Sequence, residues 1–424
     1  MTRILINLFC CSVFLTAGEY DLVPVETSIT GALEIYTVER PEADISGIYH
    51  VVRTSDKLLF CDSNLTVIKE REIVPDGRTK IHPSKFNRYF LLEEFVSLAE
   101  DRFEAGLRRW TLIDYRGTQY YSEDEQLGYD YFTTKKTVIS DVDGTMYELE
   151  TSTAEFTIRS RYGEQLKRII LYDDFGYWYA GLPGYIDIST DGSTVAVAMN
   201  HRQFIPERQT KPRIPLRGKD AGKEIPGRFI KGQSGEPHIF VFDRNGVLKF
   251  DRSLVNESTM KLSITSNSQY IFSSSYTSHP HRGIRRTTTT IYDANGVSRF
   301  DFDFSFWEYL MTDDKLLVFR RKERQLVAID LITGRVDWEA DLNARNVDRI
   351  EILDQHRVLV ILNNGRDADF RIEGCRISFI DRTTGSITET VIIGNLPKGA
   401  GALHSSQFFP LFAEGRIFSL KQKN

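Results

Sequence analysis

Cysteine is scarce. The 424 residues contain four, and two of these, Cys10 and Cys11, fall in an N-terminal apolar run. Only Cys61 and Cys375 remain for the body of the chain, too few for a fold stapled by disulfides, so a hydrophobic core must hold it. Histidine is scarce too, at eight. His201 and His238 bracket one segment and His279 and His281 flank Pro280, but no motif such as His-Glu-x-x-His accompanies them, and no metal site is expected. Excess charge of one sign is absent: 54 basic residues stand against 59 acidic ones, a net of −5. That excludes a whole-protein basic footprint for nucleic acid. Gly-x-Ser-x-Gly, the Walker loop and the dinucleotide fingerprint are missing as well, so no cofactor is implied.

Long apolar runs are confined to the start. Arg3 supplies a positive charge, Ile4 to Ala17 is almost wholly apolar, and Thr16-Ala17-Gly18 offers small residues before Glu19 and Asp21. This is the order of a secretory signal peptide. Residues 1–18 are therefore read as a cleavable signal and 19–424 as the mature chain, secreted or periplasmic. A spanning helix needs about 20 apolar residues, more than this run offers. The apolar fraction of 41% is enough for a real core.

What is abundant is a repeat. A short apolar strand runs into an Asp-centred turn, often closed by Gly, and a second strand follows. Copies lie at 58–64, 111–117, 239–246, 289–296, 327–334 and 378–385. Asp accepts hydrogen bonds from the turn backbone and Gly supplies its positive φ, so each copy is expected to be a β-hairpin. Asp62 to Asp114 is 52 residues, Asp243 to Asp293 is 50, Asp293 to Asp330 is 37 and Asp330 to Asp381 is 51. The 129 residues from Asp114 to Asp243 leave two units once 201–238 is removed. The missing hairpin is expected at Ala154–Arg159 and Leu166–Tyr172. Seven hairpins result, and a strand pair precedes each, clearest at 185–198. Four strands in 40–50 residues are one propeller blade.

Ser189-Thr-Asp-Gly-Ser193 resembles the inner hairpin of WD40-like and TolB-like propellers. Ile329 to Trp338 resembles a pyrroloquinoline-quinone-like repeat with its packing tryptophan. The resemblance spans most of residues 30–420 and implies a fold, not a function. The expected architecture is an all-β, single β-propeller of seven four-stranded blades, with eight as the alternative. Gly31–Val38 and the strands around Phe408–Leu420 are expected to close the ring. Cys61 and Cys375 would lie near that closure; two buried thiols are expected there rather than a disulfide, because opposite strand ends rarely meet within bonding range. Asp141 and Asp143 match the opening of a calcium loop, but Ser152 stands where its last Glu belongs, so a β-turn is expected.

In WD40-like propellers the loops from second to third strand share a face with the connections between blades. The largest such loop, 201–238 in blade four, contains nine Lys or Arg, including Arg208, Lys211, Arg213, Arg217 and Arg228, against four acids, and five prolines. The corresponding loop of blade five carries His279, His281, Arg282, Arg285 and Arg286. Clustered guanidiniums suit carboxylate, sulfate or phosphate partners. Tyr177 and Trp178 lie between blades three and four, where aromatic rings either stack on sugars and cations or plug the gap between blades. Phe304–Tyr309 and Tyr129–Phe132 have the same character. These residues point to a non-enzymatic scaffold holding a protein or an anionic glycan. A propeller lyase or glycoside hydrolase with its site at the channel mouth is the alternative.

Overall fold

The turns form as their composition predicts. Asp243 Oδ1 accepts from the N–H groups of Asn245 and Val247 at 2.9 and 2.8 Å, and Gly246 closes the turn at φ 72°. Asp293 repeats both bonds. Asp62, Asp330 and Asp381 also accept from their turn backbones, and these carboxyls lie below the usual range because of donated hydrogen bonds, from the Thr333 hydroxyl first at Asp330 and from backbone N–H groups first at Asp62 and Asp381.

A computed structural model describes residues 20–39, 41, 44–75, 77–97, 106–127, 135–151, 153–171, 184–199, 208–209, 229–230, 238–254, 257–278, 285–302, 308–344, 346–352, 356–363, 374–394, 408–411 and 416–422. Those residues contain strands and turns and no α-helix, hence no helix able to cross a membrane. Seven four-stranded antiparallel sheets follow one another, at 34–72, 79–127, 135–170, 184–253, 257–302, 309–341 and 346–394. In each, sequence order is spatial order. The first strands of successive sheets touch across much of the ring, as Lys135–Ile139 touches Gly184–Ile188 and that strand touches Glu257–Ile264. First strands are therefore innermost. Fourth strands are outermost and largely exposed, whereas the second and third are buried, as in Thr194–Met199. This is a β-propeller. The hairpin missing from the spacing count is Glu155–Arg159 with Gln165–Ile170.

The closure differs in one respect from the sequence expectation. Glu34–Thr37 is the inner strand of a complete blade one. The N-terminal closing strand is Tyr20–Pro24, which pairs with Arg416–Gln422, itself paired with Phe408–Leu411. This three-stranded sheet lies beside the inner strand of blade one. Counts of seven and eight differ only in whether the closing sheet is called a blade. Five residues without a turn on either side carry too little pattern to be read as a strand.

Two devices join the blades. Hairpin glycines face side chains of the preceding blade: Gly385 lies against the ring of Trp338, whose Nε1–H donates to the Arg382 carbonyl at 2.8 Å. At the opposite radius, acids in the first turn of one blade cap a turn in a neighbour. Asp141 accepts from Ser84 Oγ at 2.5 Å and Phe86 N–H at 3.0 Å, while Asp143 holds its own turn by accepting from Thr145 N–H at 3.1 Å. Burial raises the Asp141 pKa despite its donors. Between the sheets the core is apolar and aromatic. Phe156 stacks on Phe242 at 4.9 Å, and Tyr36 meets Phe90 edge-on at 5.4 Å.

Cys61 is a buried free thiol, and burial pushes it up to about 12. The side chain of Cys375 lies outside the described residues. His50, paired opposite Cys61, is 2% exposed, and burial lowers it to about 4. It folds neutral and takes a proton readily only when unfolded, so the unfolded state binds more protons between about pH 4 and 6.5 and stability falls as pH falls through that window. Relative to a His50→Gln variant, the wild type is expected to lose about 2 kcal/mol more between pH 6.5 and 4.5. Urea titrations of both proteins at each pH check this; parallel curves would refute it.

Candidate functional site

Strand direction gives the ring two faces. First-to-second and third-to-fourth turns emerge on one, the turn face. Second-to-third loops and the connections between blades emerge on the other, the long-loop face. In blade four Met199 pairs with His238, so the second strand ends and the third begins on the long-loop face. In blade five Ser278 pairs with Arg285, so the second strand ends and the third begins on the same face there. The inner strands of these two blades are in contact.

Of the residues singled out in the sequence, Arg208 lies in a two-stranded ribbon, opposite Ile230, inside the insertion. The backbones of Arg285 and Arg286 open the third strand of blade five, opposite Ser278 and Thr277. Lys211, Arg213, Arg217, Arg228, His279, His281, Arg282, Tyr177 and Trp178 lie outside the described residues. His238 stacks on Phe240 and faces Asp251 at 3.5 Å. Tyr309, from one of the aromatic connections, stacks on Phe272 at 4.8 Å, and Lys261 Nζ lies 4.9 Å from its ring. Burial raises the phenol and lowers the Lys261 ammonium, the latter against the pull of Glu308. That ring fills the gap between blades five and six.

The described part of the long-loop face carries a charged array that motif reading passed over. Blade two has long second and third strands, Tyr89–Ser97 and Gly106–Asp114. Register sets Glu93 opposite Trp110 and Glu94 opposite Arg109. Because side chains alternate, Glu93, Arg108 and Trp110 face blade three, while Glu94 and Arg109 face blade one. On the first side Arg108 reaches Glu93 at 3.0 Å and Glu125 at 2.7 Å, and its guanidinium lies 4.8 Å from the Trp110 ring. Lys135 of blade three approaches that ring to 5.2 Å, and Trp110 Nε1–H donates to Glu125 at 2.9 Å. His82 Nε2–H donates to Glu93 Oε2 at 3.2 Å. Burial alone would raise Glu93, but the His82 contact and the charges of Lys80 and Arg108 hold it below the usual carboxylate range. This array continues into Glu148, held by Lys135 and Arg159 at 2.7 and 3.0 Å, beside a cavity of about 250 Å³.

On the second side a larger cavity of about 720 Å³ opens between blades one and two. Arg71, Glu72 and the backbone of Ile73-Val74-Pro75 form one wall, and Glu94, Arg109, Thr111 and Asp124 the other. Arg109 and Asp124 satisfy each other with two bonds at 2.7 and 3.2 Å. The sequence signal for both sides was present: Glu93-Glu94 interrupts an apolar strand, and Arg108-Arg109 stands in the strand that follows.

The turn end of the channel is spanned by side chains. Lys85, in a turn of blade two, reaches Asp187 on the inner strand of blade four at 2.9 Å, and Asp187 also accepts from Ile264 N–H of blade five at 2.8 Å. A ligand approaching the channel at that end meets this bridge. Among the described residues no group of three or more His, Cys, Asp or Glu is arranged to hold a metal.

No family model matches the chain, and no curated protein matches it significantly. Solved structures do. The C-terminal WD40 domain of Sif2 is similar with a TM-score of 0.49 at 10% identity, over 95% of this chain and 98% of that one. Dihydro-heme d1 dehydrogenase NirN in complex with DHE is similar with a TM-score of 0.48 at 13% identity, over 90% and 71%. The Neurospora crassa Pan2 WD40 domain has a TM-score of 0.43 at 10% identity, over 83% and 98%. These are likenesses among propellers, at a level that carries no argument about activity, ligand or partner.

Proposed function

We propose that this chain is an exported, non-enzymatic propeller that serves as an interaction scaffold and holds an anionic partner on its long-loop face at blades four and five. One observation supports the reading: the second and third strands that these two basic segments connect end on the same face in neighbouring sheets, at Met199 and His238 and at Ser278 and Arg285. Residues 201–238 carry nine basic residues against four acids, and 279–286 carry three against none. Guanidiniums grouped on a rigid frame recognise carboxylates and sulfates by paired, charge-assisted bonds. A protein with an acidic segment and an acidic glycan both meet that requirement. The apolar N-terminal run supports export.

The test compares wild type with a variant carrying Arg213→Ala, Arg217→Ala, Arg285→Ala and Arg286→Ala. Both are titrated against polygalacturonate, dextran sulfate and a poly-glutamate peptide, and the probe that binds names the class. Wild-type affinity is expected to fall as salt rises from 50 to 300 mM, since exposed charges are screened over about 10 Å at 0.1 M. The variant is expected to bind at least about tenfold more weakly, which corresponds to 1.4 kcal/mol or a few tenths per exposed charge. Binding indifferent to both salt and the four substitutions would sink the proposal. N-terminal sequencing of the recovered protein reads the export half, with a start at residue 19 expected.

A further inference from the structure

We infer that the cleft between blades one and two is a binding site for a neutral oligosaccharide, separate from the basic loops. Its volume of about 720 Å³ falls within the range of small-molecule sites, about 300–1,000 Å³. Two groups that line it, Glu94 and Arg71, have unused hydrogen-bonding capacity. Glu94 is 6% exposed, and among the described residues its one hydrogen bond comes from the Val74 N–H at 3.3 Å. Arg71, half-buried, donates from Nη2 to Gln119 Oε1 at 3.0 Å, its Nε is covered by protein, and its Nη1 makes no hydrogen bond among the described residues and is the donor left for an occupant. Burial depresses Arg71 while Glu94 supports its charge, yet the two form no ion pair within 4 Å. They approach the cavity from opposite walls, Arg71 on the outer strand of blade one and Glu94 on the second strand of blade two.

The free lone pairs of the Glu94 carboxylate call for a donor and the Arg71 guanidinium for an acceptor, so an occupant of the cleft is matched when it offers both. A cation satisfies the first and is repelled by the second; an anion does the reverse. A hydroxyl both donates and accepts and brings no charge to be desolvated. Adjacent hydroxyls of a pyranose bridge the two groups. The side chains of Ser122 and Gln119 add donors and acceptors along one wall, and Val74 and Pro75 lie on the other. A peptide segment, with one backbone donor and one acceptor per residue, meets this density of polar groups less well than a polyol does.

The experiment screens full-length mature protein against neutral oligosaccharides of the gluco, galacto, manno and xylo series and against a set of tripeptides. Hits are titrated by calorimetry. At least one neutral oligosaccharide is expected to saturate, and Glu94→Gln and Arg71→Gln are each expected to weaken it tenfold or more. Because those substitutions touch a buried and a half-buried group, Ser122→Trp is added: Ser122 is exposed on the outer strand, so the indole fills the mouth while both groups stay. It too is expected to abolish binding. Raising NaCl to 0.5 M is expected to change the affinity less than twofold, and the four-arginine variant is expected to bind the sugar normally. That separates this site from the anionic-partner reading. Saturation by tripeptides alone, by no probe at all, or by a sugar whose affinity survives Ser122→Trp would overturn the inference.

Discussion

Truncating Arg108 to alanine is expected to cost about 3–5 kcal/mol, a large fraction of the stability of a domain. Its side chain is 5% exposed and that of Glu93 2% exposed. Removing the guanidinium leaves Glu93 buried with Lys80 at 3.8 Å and His82 at 3.2 Å, both on far more exposed side chains. It also strips one cation from the Trp110 ring and both guanidinium donors from Glu125. Replacing both partners, with Glu93→Leu and Arg108→Met, is expected to cost much less than Arg108→Ala, since most of the penalty belongs to the uncompensated carboxylate. Urea denaturation of the two variants and wild type measures this. A loss below about 1 kcal/mol for Arg108→Ala would show that water reaches the pair and that blade two is not closed there.

The same region shows what a sequence conveys and what it withholds. Hairpins were legible because an Asp-centred turn needs particular residues in fixed order, so Asp243, Asn245 and Gly246 announce themselves wherever they stand. The degenerate hairpin at 155–170 was found by spacing, not by its turn, where Ser160 replaces the aspartate. Strand pairs could be assigned to blades because their period is regular. The face of each loop followed from counting strands, and the register of Met199 with His238 agrees with that count. The closing strand at Tyr20–Pro24 was not legible, because its identity as a strand depends on Arg416–Gln422 about 400 residues later. Nor were the clefts. Arg71 and Glu94 meet one cavity only because successive blades place an outer strand beside a second strand, a relation with no signature in either segment. What the sequence did show there was weaker: two acids inside an apolar strand and two arginines in the strand after it, whose pairing only register resolves.

Register also decides how costly a methyl group is at a hairpin glycine. Gly334 has φ 69°, and a Cβ built on it would lie 2.1 Å from Cδ1 and 2.3 Å from Cε1 of Phe300, on the outer strand of the preceding blade. Gly77 has a similar φ of 72°, with nothing within 4 Å of its Cβ position. The pair separates backbone strain from crowding. Gly77→Ala bears only the left-handed penalty, about 1–2 kcal/mol. Gly334→Ala bears that and the displacement of a packed ring, for which overpacking adds about 1–3 kcal/mol, so a total of about 2–5 kcal/mol is expected. In a Phe300→Leu background the excess over Gly77→Ala is expected to shrink, because the ring that the methyl group strikes is gone. Equal losses at the two glycines would mean that Phe300 swings aside freely and that blades five and six are not locked by this contact. If the excess appears and is relieved by Phe300→Leu, the hairpin glycine is required twice over: its own turn needs the positive φ, and the neighbouring blade needs the absent side chain. That second requirement explains why Gly163, Gly296 and Gly385, each with an aromatic ring of the preceding blade less than 3 Å from its Cβ position, recur at blade spacing in a chain whose strands otherwise share little sequence.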